Sequence, residues 1–208
     1  MKKKFDANKL MNELSELLSE EEDESFDPEV CNNDIYFYCK VSTGSILKFN
    51  KKLRELDQKN FLEAISKQTS LESTLTIDPI IIYIQSPGGD VLSGLSAMDT
   101  IMKCKSPIYT VIDGYAASAS TLMSVVGTKR FITPHSFSLI HQLSSGMWGK
   151  FNDMKDEMGN LELFMSKIKE TYIKYTKISG TQLDEILKKD IFFDAEKSLE
   201  LGIVDYIK

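Results

Sequence analysis

Histidine is scarce in this chain of 208 residues: His135 and His141 are the only two. Cysteine is almost as rare. Cys31, Cys39 and Cys104 are widely spaced and odd in number, which offers no zinc pattern and suits a reducing compartment. Arginine occurs only at Arg54 and Arg130, so the 25 basic residues are nearly all lysine. No apolar run approaches the roughly 18 residues of a membrane span, and the longest, from Pro79 to Ile84, has the length of a strand. The opening Met-Lys-Lys-Lys-Phe-Asp leads into no apolar secretory core. These absences lead us to expect a cytoplasmic protein with no membrane association. The net charge of −6 sits within residues 1–30, where four lysines face ten acids, and leaves the remainder neutral. No basic face is therefore available for nucleic acid.

What is present is the composition of one ordinary domain, 42% hydrophobic and 27% charged. A chain of this length buries roughly 70% of its unfolded surface, so it needs neither disulfide nor metal to fold. Residues 1–33 read as an acidic tail or pro-segment. Phe5, Leu10, Leu14, Leu17 and Leu18 suit a short amphipathic helix, and Glu20 to Glu24 follow without apolar partners. From residue 34 to 208, strand and helix patterns alternate in an α/β arrangement. Ile35–Val41 reads as a strand, and Ser45–Lys67 as a helix carrying Leu53, Leu56 and Leu62. A polar stretch, Gln68–Asp78, precedes the Pro79–Ile84 strand. Val91–Lys103 reads as a helix, Pro107–Ile112 as a strand, and Phe131–Thr133 and Phe137–His141 as two more. Short helices are expected at Thr181–Lys189 and after Asp194, a capping residue.

Between the last of these strands and the short helices the apolar period changes. Met154, Met158, Leu161, Met165, Ile168, Tyr172 and Tyr175 recur at alternating intervals of four and three, a seam along one long helix. A helix of that length exceeds what a small core covers, so it is expected to protrude and pack against another subunit.

Three segments carry residues suited to chemistry. Gly114-Tyr115-Ala116-Ala117-Ser118-Ala119-Ser120 puts small residues around a serine at a strand-to-helix turn, where a hydroxyl is accessible and a substrate backbone can approach. Close helix packing is the alternative use of such a run. Ser86-Pro87-Gly88-Gly89-Asp90 ends a strand and opens a helix, and its exposed N–H groups suit an oxyanion or a phosphate. Asp90-Val91-Leu92 then replaces the lysine and hydroxyl that a phosphate loop needs, which disfavours nucleotide. Leu139-Ile140-His141-Gln142 ends a strand with a histidine, where the sites of α/β sheets gather, and puts His135, Phe137, Leu139 and His141 on one face. A serine nucleophile needs a base, and of the two histidines His141 is better placed than His135, a turn residue after Pro134.

Together these segments resemble the ATP-dependent Clp protease proteolytic subunits. Tyr83-Ile84-Gln85-Ser86-Pro87-Gly88-Gly89 is similar to that family's YINSPGG signature. Gly114–Ser118 matches its glycine, variable residue, Ala-Ala-Ser motif, and Leu139–Gln142 its MIHQ motif. The likeness runs from about Asp34 to Lys208. It implies a core of repeated β-β-α units wound in a spiral with a long handle helix, related to the crotonase-like enzymes. It also implies Ser118 as nucleophile, His141 as base and Asp190 as the acid of a triad, with an oxyanion hole from the N–H groups of Gly89 and Ala119. Stacked seven-membered rings, polypeptide substrates and a separate AAA+ ATPase as partner follow from the same resemblance. No cofactor or metal is implied, and ATP enters only through the ATPase.

Leu143 stands where the family usually has proline and Ala119 where it often has methionine. Residues 1–33 have no counterpart to its pore-lining N-terminus. Readings set against the peptidase are a non-proteolytic ring subunit, a structural capsid-associated protein, and a signal-peptide-peptidase-like protease using a lysine base.

Overall fold

The computed structural model describes residues 27–68, 75–146 and 148–208. The amphipathic and acidic segments expected before residue 27, and most of the polar stretch before Pro79, lie outside them. Seven strands form one mixed sheet in the order β1-β2-β3-β4-β5-β7, with β6 also paired to β4. The strands are β1 (Glu29–Cys31), β2 (Asp34–Phe37), β3 (Ile80–Ser86), β4 (Ile108–Ala117), β5 (Lys129–Ile132), β6 (Phe137–Leu139) and β7 (Tyr206–Ile207). β1 turns back antiparallel onto β2, and β2, β3, β4 and β5 run parallel. The sheet therefore begins at Glu29, ahead of Asp34.

β3 shows why this sequence makes a central strand. Ile80, Ile82 and Ile84 are fully buried on one face, while Ile81 and Tyr83 are half-buried on the other. β-branched residues on both faces suit a strand with a neighbour on each edge. Helix α1 (Thr43–Lys67) packs Ile46, Phe49, Leu53 and Leu56 into the core, and a Ser42/Ser45 capping box starts it. Leu62, expected among its apolar contacts, faces solvent at 57% exposure. Asn50 and Asn60 are buried on that helix instead, and donate to Ser96 Oγ and the Asp78 carbonyl. Helix α2 (Val91–Lys103) has the expected bounds.

β4 is longer than the sequence suggests. It runs through Gly114, at φ 90°, to Ala117 and changes partner on the way. Tyr109–Ile112 pair with β5, whereas Tyr115–Ala117 pair with β6. Its end thus lies beside Leu139, two residues before His141.

Four more helices lie among the described residues: α3 (Ala119–Ser124), α4 (Phe151–Tyr175), α5 (Gly180–Leu187) and α6 (Ala195–Glu200). Asp194 caps α6 as expected, accepting from the Lys197 N–H. The seam on α4 divides. Ile168 and Tyr172 belong to the core and Leu161 and Met165 are half-buried, but Met154 and Met158 are exposed at 43% and 48%. Burial on α4 is confined to Ile168, Thr171 and Tyr172, so the N-terminal half of this helix, about 38 Å long in all, protrudes. No helix among the described residues is long and apolar enough to cross a membrane.

Arg130 fastens the C-terminal turn and the end of α4 to β5. Its guanidinium donates to both Asp205 carboxylate oxygens and to the carbonyls of Tyr175 and Gly202. Burial pushes the Asp205 pKa up, but the Arg130 hydrogen bonds and charge outweigh it and hold it below the ordinary carboxylate value. Asp205→Asn is expected to cost about 2 kcal/mol, between the values for surface and buried pairs. A depressed folded pKa stabilises above the unfolded value, near 3.9, and is lost as pH falls through the folded one. The wild-type advantage in melting temperature should be full at pH 7 and smaller at pH 3. Equal melting of the two proteins at pH 7 would refute this.

Candidate active site

The Ser-Pro-Gly-Gly turn that follows β3 lies against the serine. Gly88 has φ 86°, and a Cβ there would sit 2.7 Å from Ser118 Cβ and 2.9 Å from the Ala119 nitrogen. No side chain fits such an approach, which is why the turn needs glycine. Val41 donates to the Gly88 carbonyl at 2.8 Å and accepts from the Asp90 N–H at 2.9 Å. In an extended backbone alternate residues face opposite edges, so the Gly89 N–H points away from Val41. Asp90 spends its carboxylate on the Ser93 N–H as the cap of α2.

Ser118 stands at the cap position of α3 with φ 54° and ψ −126°. Only Asn32 shares a positive φ with it among described non-glycine residues. A backbone in this region costs on the order of 1–3 kcal/mol and persists only where its surroundings fix it. A serine at a helix start ordinarily caps the helix, but the Ser118 side chain makes no cap hydrogen bond. Its hydroxyl is left to the cavity. The Ala119 N–H opens the first turn of α3, a position without an intrahelical acceptor.

The Ser118 N–H donates to the Leu139 carbonyl at 2.9 Å, joining the serine segment to the histidine segment. β6 ends at Leu139, so His141 lies beyond the strand on which the sequence placed it. The expected alternation also fails, since Phe137 is exposed while Ser138 and Leu139 are both buried. Ser138 is covered by α6, whose Ser198 shares a 2.8 Å hydroxyl contact with it. His141 is held from the next residue, because Gln142 N–H donates to the Leu187 carbonyl at the end of α5.

His141 Nδ1 lies 2.8 Å from Asp190 Oδ1. A carboxylate only accepts, so Nδ1 carries the proton, and Nε2 of the neutral ring is left as an acceptor. The imidazole is three-quarters buried, whereas the Asp190 side chain is 81% exposed. A cavity of about 260 Å³ takes Gly89, Ser118, Ala119 and His141 into its lining. Leu122, Leu161, Phe164, Ile168 and Tyr172 line it too, making an apolar recess beside the polar groups. Asp190 stays outside that lining and reaches the site through His141. His135 is an exposed turn residue, also outside it.

The five residues singled out from the sequence thus converge. Of the α4 residues of the recess, Leu161, Ile168 and Tyr172 were legible only as part of a seam and Phe164 was missed, and nothing in the sequence couples Thr121 to Tyr172, whose hydroxyls touch. No group of three or more His, Cys, Asp or Glu able to hold a metal occurs among the described residues.

The model of the Clp protease family matches residues 34–208. The ATP-dependent Clp protease proteolytic subunit 1 of Chlamydia muridarum is 32% identical over 154 residues, covering 72% of this chain and 80% of the relative. The subunit of the same name from Chlamydia trachomatis serovar D is 33% identical over the same spans. Among solved structures, a ClpP1 mutant from Listeria monocytogenes superposes with a TM-score of 0.71 at 22% identity, over 85% of this chain and 91% of that one.

Proposed function

The chain belongs to the Clp protease family, and from that premise we propose that it is a serine endopeptidase acting on unfolded polypeptides and short peptides. The observation that carries this reading is the His141–Asp190 hydrogen bond of 2.8 Å, which leaves Nε2 free in a ring lining the same cavity as an uncapped Ser118.

In the proposed reaction His141 Nε2 takes the proton of Ser118 Oγ as the oxygen attacks the scissile carbonyl. Asp190 keeps the proton on Nδ1 and stabilises the imidazolium that forms. The Gly89 and Ala119 N–H groups receive the developing oxyanion. His141 then returns the proton to the leaving amine, and water repeats the sequence on the acyl-enzyme. The recess beside Ser118 receives an apolar side chain of the substrate. A lysine base has no support, since the cavity lining includes a histidine and no lysine.

The protruding half of α4 supports a ring-forming homo-oligomer, and the names of the relatives support a separate ATPase that delivers substrate. The reading places the protein in the cytoplasm, without nucleic acid or cofactor of its own. Peptide hydrolysis does not need the acidic residues ahead of Asp27, whereas Glu29 belongs to the sheet.

A serine-reactive fluorophosphonate tests this directly. Intact mass should show one adduct per chain in the wild type and none in Ser118→Ala. An unmodified wild-type chain after prolonged exposure would defeat the reading.

A further inference from the structure

Three backbone contacts fix the strained Ser118. Its N–H donates to Leu139, Gly88 closes over its Cβ, and its carbonyl accepts twice from Thr121, from the N–H at 3.0 Å and from Oγ1 at 2.6 Å. The Thr121 hydroxyl has one proton, and that proton goes to the Ser118 carbonyl. The further contact between Thr121 Oγ1 and the Tyr172 hydroxyl, at 2.5 Å, is then donated by tyrosine. Both residues are buried, Thr121 completely and Tyr172 to 2% exposure. Burial pushes the Tyr172 pKa up to about 12, so the phenol keeps its proton at neutral pH.

We propose that Thr121 and Tyr172 are positioning residues for the nucleophile: a hydroxyl chain from α4 through α3 pins the Ser118 carbonyl and so holds its side chain toward the cavity. Neither residue touches the reacting atoms. Each acts through the Ser118 backbone, whose dihedral angles decide where Oγ points. A chain of hydrogen bonds in a dry interior strengthens each member. Tyr172 also lines the recess beside Ser118, so the same side chain bounds the substrate cavity and steadies the serine.

This inference rests on the serine-peptidase reading, and its test separates the two. The second-order rate of fluorophosphonate labelling, and kcat and KM on a fluorogenic peptide normalised to titrated sites, are measured for four proteins. Misplacing a reacting group by about 1 Å can cost about a hundredfold, so the smaller shift expected of Thr121→Val should slow labelling about tenfold, with kcat down about tenfold and KM unchanged. Thr121→Ser restores the hydroxyl and should fall within about twofold of wild type. Tyr172→Phe, which deletes one oxygen, should be roughly threefold slower, and it decides the matter if Thr121→Val fails to fold. A purely structural role would lower the melting temperature but leave the rate per titrated site intact. That result, or Thr121→Ser as slow as Thr121→Val, overturns the inference while leaving the peptidase reading in place. A wild-type chain that does not label overturns both.

Discussion

Ser118→Ala and His141→Ala should each reduce peptide hydrolysis by three or more orders of magnitude, while Asp190→Ala should cost less. Serine and histidine act as one unit, so losing either removes nearly the whole contribution of both. Asp190 differs because of its surroundings. Its carboxylate is 81% exposed, so water can replace it as acceptor for the His141 Nδ1 proton. Burial holds the imidazole in place by other means, through fully buried Ile140 and the Gln142–Leu187 hydrogen bond. A loss of about a hundredfold is expected for Asp190→Ala, below the roughly 10⁴-fold typical of a buried triad acid. Steady-state rates on a fluorogenic peptide, with active-site titration, check the order. An active His141→Ala protein would remove this residue as the base; His135, the other histidine, is an exposed turn residue outside the cavity lining.

The second large effect concerns assembly. If the chain assembles as proposed, glutamate at both Met154 and Met158 should break the assembly into smaller species, as read by multi-angle light scattering. Among the described residues these methionines are exposed, and nothing lies within 4 Å of where a Cβ on Gly159 would stand. That glycine costs the helix about 1 kcal/mol relative to alanine and gains nothing from its own chain. Apolar residues around an open glycine are what a protruding helix offers to a second copy. Unpaired charge buried there costs several kcal/mol per site, enough to weaken association at least a hundredfold. Leu161 and Met165, lower on the same seam, are poor places for this substitution. One lines the cavity, and the other accepts the Leu143 N–H through its sulfur, so charge there would injure the protomer itself. A wild-type protein that is monomeric at all concentrations would overturn the expectation.

Much of the site was legible because its requirements are local. Glycine at 88 is dictated by a positive φ and a close approach, and the small residues around Ser118 by the turn that carries it. The helix Val91–Lys103 was legible because the sharp Ser86–Asp90 turn sets where it begins. Features set by distant partners were not legible. Gly114 reads as the end of a strand, yet β4 continues through it because a second partner, β6, takes over the pairing. Ser138 looks like a surface residue and is buried because α6 lies over it. The Thr121–Tyr172 contact joins residues 51 apart in sequence, and no period or motif signals a meeting of two hydroxyls. Leu62 failed for the opposite reason, since its place in an apolar helix pattern did not bring it a neighbour.

The change of partner along β4 also bears on how this protein tolerates insertions and deletions. The serine and the histidine are brought together by the Ala117–Leu139 register and the Ser118 N–H bond, not by the length of chain that joins them. Between β5 and β6 only Pro134 and His135 are exposed, so an insertion at that turn is expected to leave Ser118 and His141 as they stand, provided β6 returns to the same register. A slip of one residue in that register is different in kind. It would turn every side chain of β6 to its opposite face and carry His141 away from the cavity. Loop length is thus a free variable for this site, and strand register is not.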